Sequence, residues 1–169
     1  MVASKSTLTS VDPVDVTTVG GLQLLSAVGD PLYAADAEGK IQPRLAAALP
    51  ELSADGLTAT IALRPGVLFH DGSRFDAEAM VFSLERFRSL AKLGYLLDDR
   101  ISSVRASGPY ELKLQLKRPY SALTALLSSI SLTPLSPTAY RQHGSTSLAN
   151  RFVGTGPYRL ASSTPQKQT

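Results

Sequence analysis

The sequence predicts an α/β chain of the α+β kind, in which short antiparallel strands and amphipathic helices share a core. Three observations carry that prediction. Leu57, Ala59, Ile61 and Leu63 alternate with Thr58, Thr60 and Ala62, and Leu112, Leu114 and Leu116 alternate with Glu111, Lys113, Gln115 and Lys117. A period of two places one apolar row on one face of a strand. Met80, Val81, Leu84 and Phe87 instead fall at helical spacing behind Asp76, a good N-cap. Finally, 43% of the 169 residues are hydrophobic, which suits one ordinary domain or one domain plus part of another. No apolar run approaches the roughly 18 residues that a membrane span needs.

Taken in order, the chain opens polar, and VDPVD (Val11 to Asp15) reads as a turn. Val19, Leu22, Leu25 and Ala27 or Val28 follow helical spacing, with Thr17 or Thr18 as N-cap. Gly20 and Gly21 weaken this helix, each by about 1 kcal/mol relative to Ala. Pro31-Leu32-Tyr33 begins a short extended piece, and AEGK (Ala37 to Lys40) turns the chain before Ile41. PRLAAALP (Pro43 to Pro50) reads as a short helix or turn bounded by prolines. Asp55-Gly56 marks a two-residue hairpin bend into the strand from Leu57 to Leu63, which Pro65-Gly66 ends.

Val67-Leu68-Phe69 adds a brief apolar run with His70 as its last strand residue, half covered and bonded through its ring to a nearby backbone group. Asp71-Gly72 then turns the chain. Asp accepts a bond from the backbone two residues on, and Gly permits positive φ. The helix from Asp76 runs to about Leu90, with Glu78 at its positive end and Arg86 and Arg88 toward its negative end. A polar link through Asp98-Asp99-Arg100 leads to a weaker strand, Ile101 to Ala106, and a clear one, Tyr110 to Lys117. Ser107-Gly108-Pro109 turns between them. A helix is expected from Ser121 to about Ser129, and Ser136-Pro137 caps and opens another through Tyr140. FVGTGPYRL is a Gly-Pro turn between extended pieces, and the tail, 161–169, is expected to be disordered.

Little of this points to chemistry. There is no cysteine, and the two histidines, His70 and His143, lie far apart in sequence, so no metal site is expected. No GxSxG elbow and no GxGxxG or GxxxxGK[ST] phosphate loop is present. VGTGPY holds Gly154 and Gly156, but Pro157 follows and no helix is signalled. No pair of carboxylates is selected by spacing. Neither a catalytic residue nor a cofactor is predicted, and His70, Asp71 and Gly72 read as a structural corner. Residues 1–85 carry 5 basic and 11 acidic side chains, net −6, and residues 86–169 carry 12 basic and 3 acidic, net +9. The basic residues are spread out and do not interleave with aromatics, so nucleic acid is not an expected partner.

The order of these pieces resembles a known family. Asp55-Gly56-Leu57-Thr58, Leu63-Arg64-Pro65-Gly66-Val67, Phe69 to Gly72, Phe75, Glu78 and Phe82 to Arg86 follow one long pattern. Leu116 to Tyr120 (LKRPY) and Val153 to Tyr158 (VGTGPY) come later in matching order. Together they resemble the first third of the family 5 solute-binding proteins of ABC transporters for oligopeptides, dipeptides and nickel. The likeness covers nearly all of residues 8–160. Two departures stand out. Asp76 replaces the family's usual Thr or Ser cap, to the same purpose. The family's first strand, before the DP turn, is nearly absent, since only Ser4 to Thr9 precede that turn.

The resemblance implies a type II periplasmic-binding-protein-like fold, two lobes closing on a ligand by hinge motion. Residues 1–32 and 119–160 would belong to the first lobe, and 33–118 would form the small inserted domain, with a mixed or antiparallel sheet and flanking helices. The second lobe would lie outside this chain, which would make it an N-terminal fragment. The function implied is the substrate-binding component of an ABC importer, carrying a peptide or similar small solute to permease subunits at the membrane. Its place would be periplasmic or otherwise extracytoplasmic, although MVASKSTLTS lacks the pattern of a secretory signal. The ligand-facing stretch of the family falls on Thr17, Thr18 and Val19. Nickel-type members carry an arginine after the Leu-rich helix; SSISLTPLSP has none, which favours a peptide or another small solute. The alternative is a stand-alone interaction module that docks a partner through the basic C-terminal half.

Overall fold

A computed structural model describes residues 10–148 and 152–160. The chain runs α1 (Val19–Val28), β1 (Tyr33–Ala35), β2 (Ile41–Pro43), β3 (Glu51–Leu52), β4 (Thr58–Ala62), α2 (Ala77–Leu90), α3 (Tyr95–Asp98), β5 (Ile101–Gly108), β6 (Glu111–Leu116), α4 (Leu123–Leu126), a 3₁₀ turn (Ile130–Leu132) and α5 (Pro137–Leu148). The strands β1 and β2 pair as a hairpin, and the other four form a sheet in the order β3-β4-β6-β5. Every pairing is antiparallel, so among the two sheet types expected, the mixed one is absent from the described residues.

The alternation in β4 and β6 does what its period predicts. Ala59 faces Leu114 and Ile61 faces Leu112 across the strands, and all four are fully buried. The helix α2 covers this face with Met80, Leu84 and Phe87. Asp76 caps it by accepting the Ala79 N–H at 2.9 Å. Thr18, rather than Thr17, caps α1 by accepting the Gly21 N–H at 3.2 Å.

Several local expectations fail for identifiable reasons. PRLAAALP forms no helix. Its backbone is drawn into extended pairings, Ala46 N–H to Leu32, Ala47 N–H to Ala62, and Arg64 N–H to Leu45, and Ala46 bridges Leu63. The Asp55-Gly56 bend is wider than two residues, because Ser53 N–H bonds Thr58 and Gly56 N–H bonds Ser53. His70 is not the end of a strand. Phe69 N–H bonds Ser73 and Gly72 N–H bonds Phe69, which makes a tight loop with a single bridge, Leu68 to Arg74. The polar link contains the short helix α3. The helix predicted for Ser121–Ser129 shrinks to α4, which has no side-chain cap. The one predicted through Tyr140 extends to Leu148, with a non-helical break at Gly144. The expected disordered tail, 161–169, and the strand before the DP turn, Ser4 to Thr9, lie outside the described residues.

Two buried clusters result. The larger spans Leu32 to Leu132 and fills the space between the sheet and α2. The smaller joins Val11, Leu25, Val28, Leu135 and Phe152, with Phe82 and Tyr140 packed against it. It is assembled from segments far apart in sequence.

Candidate functional site

His70 N–H bonds the Gly154 carbonyl at 2.9 Å, and its ring Nε2 lies 2.7 Å from the Gly156 carbonyl. The ring is thus bonded to a nearby backbone group, as expected, and that group lies 86 residues away in sequence. With a carbonyl as acceptor, Nε2 carries the proton. Asp71 accepts the Ser73 N–H at 2.9 Å, the Asx turn its position predicts, and Gly72 takes φ 83°. The other Asp71 oxygen accepts the Ser136 hydroxyl at 2.6 Å. Ser136 in turn accepts the Ala139 N–H and so caps α5. Burial would raise the Asp71 carboxyl, but hydrogen bonds from Ser136, Ser73 and the backbone outweigh it and hold the pKa below the usual value. Asp30 goes the other way: burial raises it, against the charges of Arg44 and His70.

Gly154 and Gly156 complete the corner by close approach. Gly156 N–H bonds Val28 and Tyr158 N–H bonds Ala27, at the end of α1. A Cβ on Gly156 would lie 2.5 Å from the backbone of Gly29 and Val28, and one on Gly154 would lie 2.4 Å from the Val28 carbonyl. The corner therefore stitches the 70–73 loop, the start of α5 and the end of α1 together. The Ser73 and Ser136 hydroxyls both donate to the Asp71 carboxylate, and His70 Nε2 bonds backbone, while His70 Nδ1 and the Thr155 hydroxyl are buried without a hydrogen-bond partner among the described residues. Among the described residues no group of three or more His, Cys, Asp or Glu could hold a metal ion.

The stretch expected to face ligand lies on a different part of the surface. Thr17, Thr18 and Val19 all lie exposed at the start of α1, and Val19 is 73% accessible despite its apolar side chain. The N-terminal turn of a helix leaves backbone N–H groups without helical partners. No hydrogen bond takes up the N–H of Thr17 or Val19 among the described residues, and none joins these three to the His70 corner. Immediately upstream, the Asp12 carbonyl accepts Asp15 N–H and Val16 N–H at 2.9 and 3.0 Å, and its carboxylate accepts Val14 N–H at 3.2 Å.

Asp12 is where sequence reasoning fell short. Arg86 lies toward the C-terminal end of α2, as expected, but it is buried there. Its two terminal nitrogens grip both oxygens of Asp12, Nη1 to Oδ1 at 2.7 Å, with side chains only 6% and 2% exposed. The guanidinium also lies 5.0 Å from the centroid of Tyr140. Burial alone would lower the Arg86 pKa, but the bonds and charge of Asp12 outweigh it and raise it. Beside it, Ser83 accepts the Leu135 N–H at 3.2 Å. Phe82, Ser83 and Arg86 thus form a second face of α2. In sequence, Ser83 and Arg86 stand one helical turn from each other beside Phe82, which marks a second face of the helix but not the partner it meets.

The comparisons agree with this architecture. Residues 40–169 match the family profile of bacterial extracellular solute-binding proteins, family 5. The chain is 35% identical over 162 residues to the glutathione-binding protein GsiB of Pectobacterium atrosepticum, covering 95% of this chain and 31% of that one. It is similar in structure to Listeria monocytogenes OppA bound to peptide, with TM-score 0.83, 23% identity, and coverage of 90% of this chain and 34% of that one. Brucella suis NikA in complex with Fe(III)-EDTA gives TM-score 0.81 at 26% identity, covering 94% and 32%. The chain therefore spans about a third of the length of the relatives it matches, and the matched relatives are binding proteins. No helix among the described residues is long and apolar enough to cross a membrane. With its long motif, its antiparallel sheet under α2 and the match over 40–169, the chain belongs to the family 5 bacterial extracellular solute-binding proteins.

Proposed function

We propose that this chain forms part of the solute-binding component of an ABC importer, one face of a cleft that holds a peptide or similar small solute and presents it to permease subunits. It acts outside the cytoplasm and by binding rather than catalysis. Residues 33–118 form the inserted domain, and 1–32 with 119–160 contribute to the first lobe. The two buried clusters support that division, although Leu123, Leu127 and Leu132 also close the larger one.

The ligand-facing stretch is Thr17, Thr18 and Val19. The observation that carries this is the exposed start of α1, where the Thr17 and Val19 N–H groups have no partner among the described residues and an apolar Val19 is held at the surface. An extended peptide can pair with such main-chain groups as an added strand does. Glutathione, named for the Pectobacterium relative, is itself a small peptide and falls in the same ligand class. The docking alternative finds less support. Arg86 is buried, Arg88 pairs with Glu85 and Asp98, and Lys113 and Lys117 lie near Glu111 and Asp98.

Titration calorimetry with a tripeptide tests the proposal. A cleft reduced to part of one lobe makes at most about half of a ligand's contacts, so a micromolar free energy, about −8 kcal/mol, falls to about −4 kcal/mol or weaker, roughly millimolar at best. Micromolar peptide binding by these 169 residues would overturn the half-cleft reading. Binding to an anionic polymer with a steep salt dependence would favour the docking alternative.

A further inference from the structure

We infer that Arg86 is a positioning residue for the ligand-facing stretch: from within α2 it fixes, through Asp12, the turn that leads into Thr17, Thr18 and Val19. The inference rests on the proposed role of that stretch and names the residue that holds it from outside.

The chain of contacts is short. Met80, Leu84 and Phe87 anchor α2 to the sheet. On the same helix Arg86 reaches the opposite way and grips both carboxylate oxygens of Asp12. A planar fork meeting a carboxylate through two bonds fixes orientation as well as distance. Asp12 then spends its remaining capacity on its own turn, accepting Val14 N–H through Oδ1, and Asp15 and Val16 N–H through its carbonyl. Val16 is buried, and the next three residues are exposed. The route from Arg86 to the exposed stretch thus passes through one carboxylate and one turn. Asp12 carries no other ion pair among the described residues, and Pro13 cannot donate a backbone bond to replace the lost grip.

The same geometry explains why this pair is ionic. The exposed start of α1 has little apolar surface to anchor it, and Gly20 and Gly21 make it a weak helix. A bidentate pair supplies direction where packing cannot. A buried pair is weak evidence for added stability and is best attested as a device for specifying one arrangement. Here the arrangement specified is the approach of the DP turn to α2.

Amide hydrogen exchange followed by NMR on the whole chain tests this. Arg86→Met strands a buried carboxylate and can unfold the chain, so the double variant Asp12→Asn/Arg86→Met, which removes both charges, is measured beside it. The expected result in the double variant is exchange at Val14, Asp15 and Val16 accelerated by about tenfold or more, with β4 and β6 amides within about twofold of the parent. Unchanged exchange at the three turn amides would overturn the inference. So would equal acceleration in turn and sheet, which marks general stability rather than positioning. The ligand reading is separated by adding a tripeptide to the parent chain. If Thr17–Val19 amides do not shift there while the turn amides respond in the variant, the ligand reading fails and the positioning result stands.

Discussion

The two buried clusters differ in how they are held. The larger is centred on the sheet and the helix above it, Ile61 on Leu112 and Ala59 on Leu114 with Met80 and Leu84 above, and apolar side chains such as Tyr33, Leu97, Leu123 and Leu132 close its edges. The smaller gathers five buried side chains from three separate parts of the chain, and polar clamps hold those parts in place. Asp12–Arg86, Ser83–Leu135, Asp71–Ser136 and His70–Gly156 each join residues more than fifty positions apart. The first region identifies the family; the second shapes the surface proposed to meet ligand. A core built on neighbouring strands can rest on apolar packing, whereas segments far apart in sequence are brought together by directional bonds.

That contrast can be broken in order of effect. Arg86→Met leaves Asp12 buried without its partner and is expected to cost about 3–5 kcal/mol by denaturant titration. If the loss were under about 1 kcal/mol, the side chain would have to be a surface cation after all. Ile61→Ala removes a fully buried side chain from the larger core, with an expected loss of about 2–5 kcal/mol and a slope of unfolding unchanged from the parent. Gly156→Ala forces a methyl group to within 2.5 Å of Gly29 and Val28 backbone, and about 1–3 kcal/mol is expected. A neutral result would mean that the end of α1 is not pinned to this turn.

The smallest effect concerns pH. The Asp71 carboxyl is held below its usual value, so it contributes stability above the ordinary carboxyl pKa of about 4, and that contribution is lost as pH falls through the lowered value. Asp71→Asn removes the titration. Thermal melts should therefore show a smaller drop in Tm between neutral and strongly acidic pH for the variant than for the parent. An identical drop would show that the clamp to Ser136 does not titrate with folding.

The same contrast explains what the sequence made legible. The strands β4 and β6, the Asp76 cap and the apolar stripe of α2 follow from local periodicity, because the period of a strand or helix is written within ten residues. The Asx turn at Asp71 was local too. The clamps were not. Nothing near Arg86 names Asp12, 74 residues away, and nothing near His70 names Gly156, so both read as ordinary surface or turn residues. PRLAAALP misled for the opposite reason: its alanines favour a helix locally, but its backbone is claimed by Leu32, Ala62 and Arg64. At the proposed site, the helix start was readable with Thr17 or Thr18 as its cap, but the exposure of Val19, which falls on the helical apolar spacing, was not. The Arg86–Asp12 fork was not readable either.

The most direct test of the account is a residue-resolved amide spectrum of the chain during titration with a tripeptide at roughly millimolar concentration. The account predicts shifts centred on Thr17, Thr18 and Val19, with the His70–Gly156 corner and the β4–β6 pair unmoved. Shifts confined to that corner, to the exposed edge of β5 or to the basic side chains of the C-terminal half would contradict it.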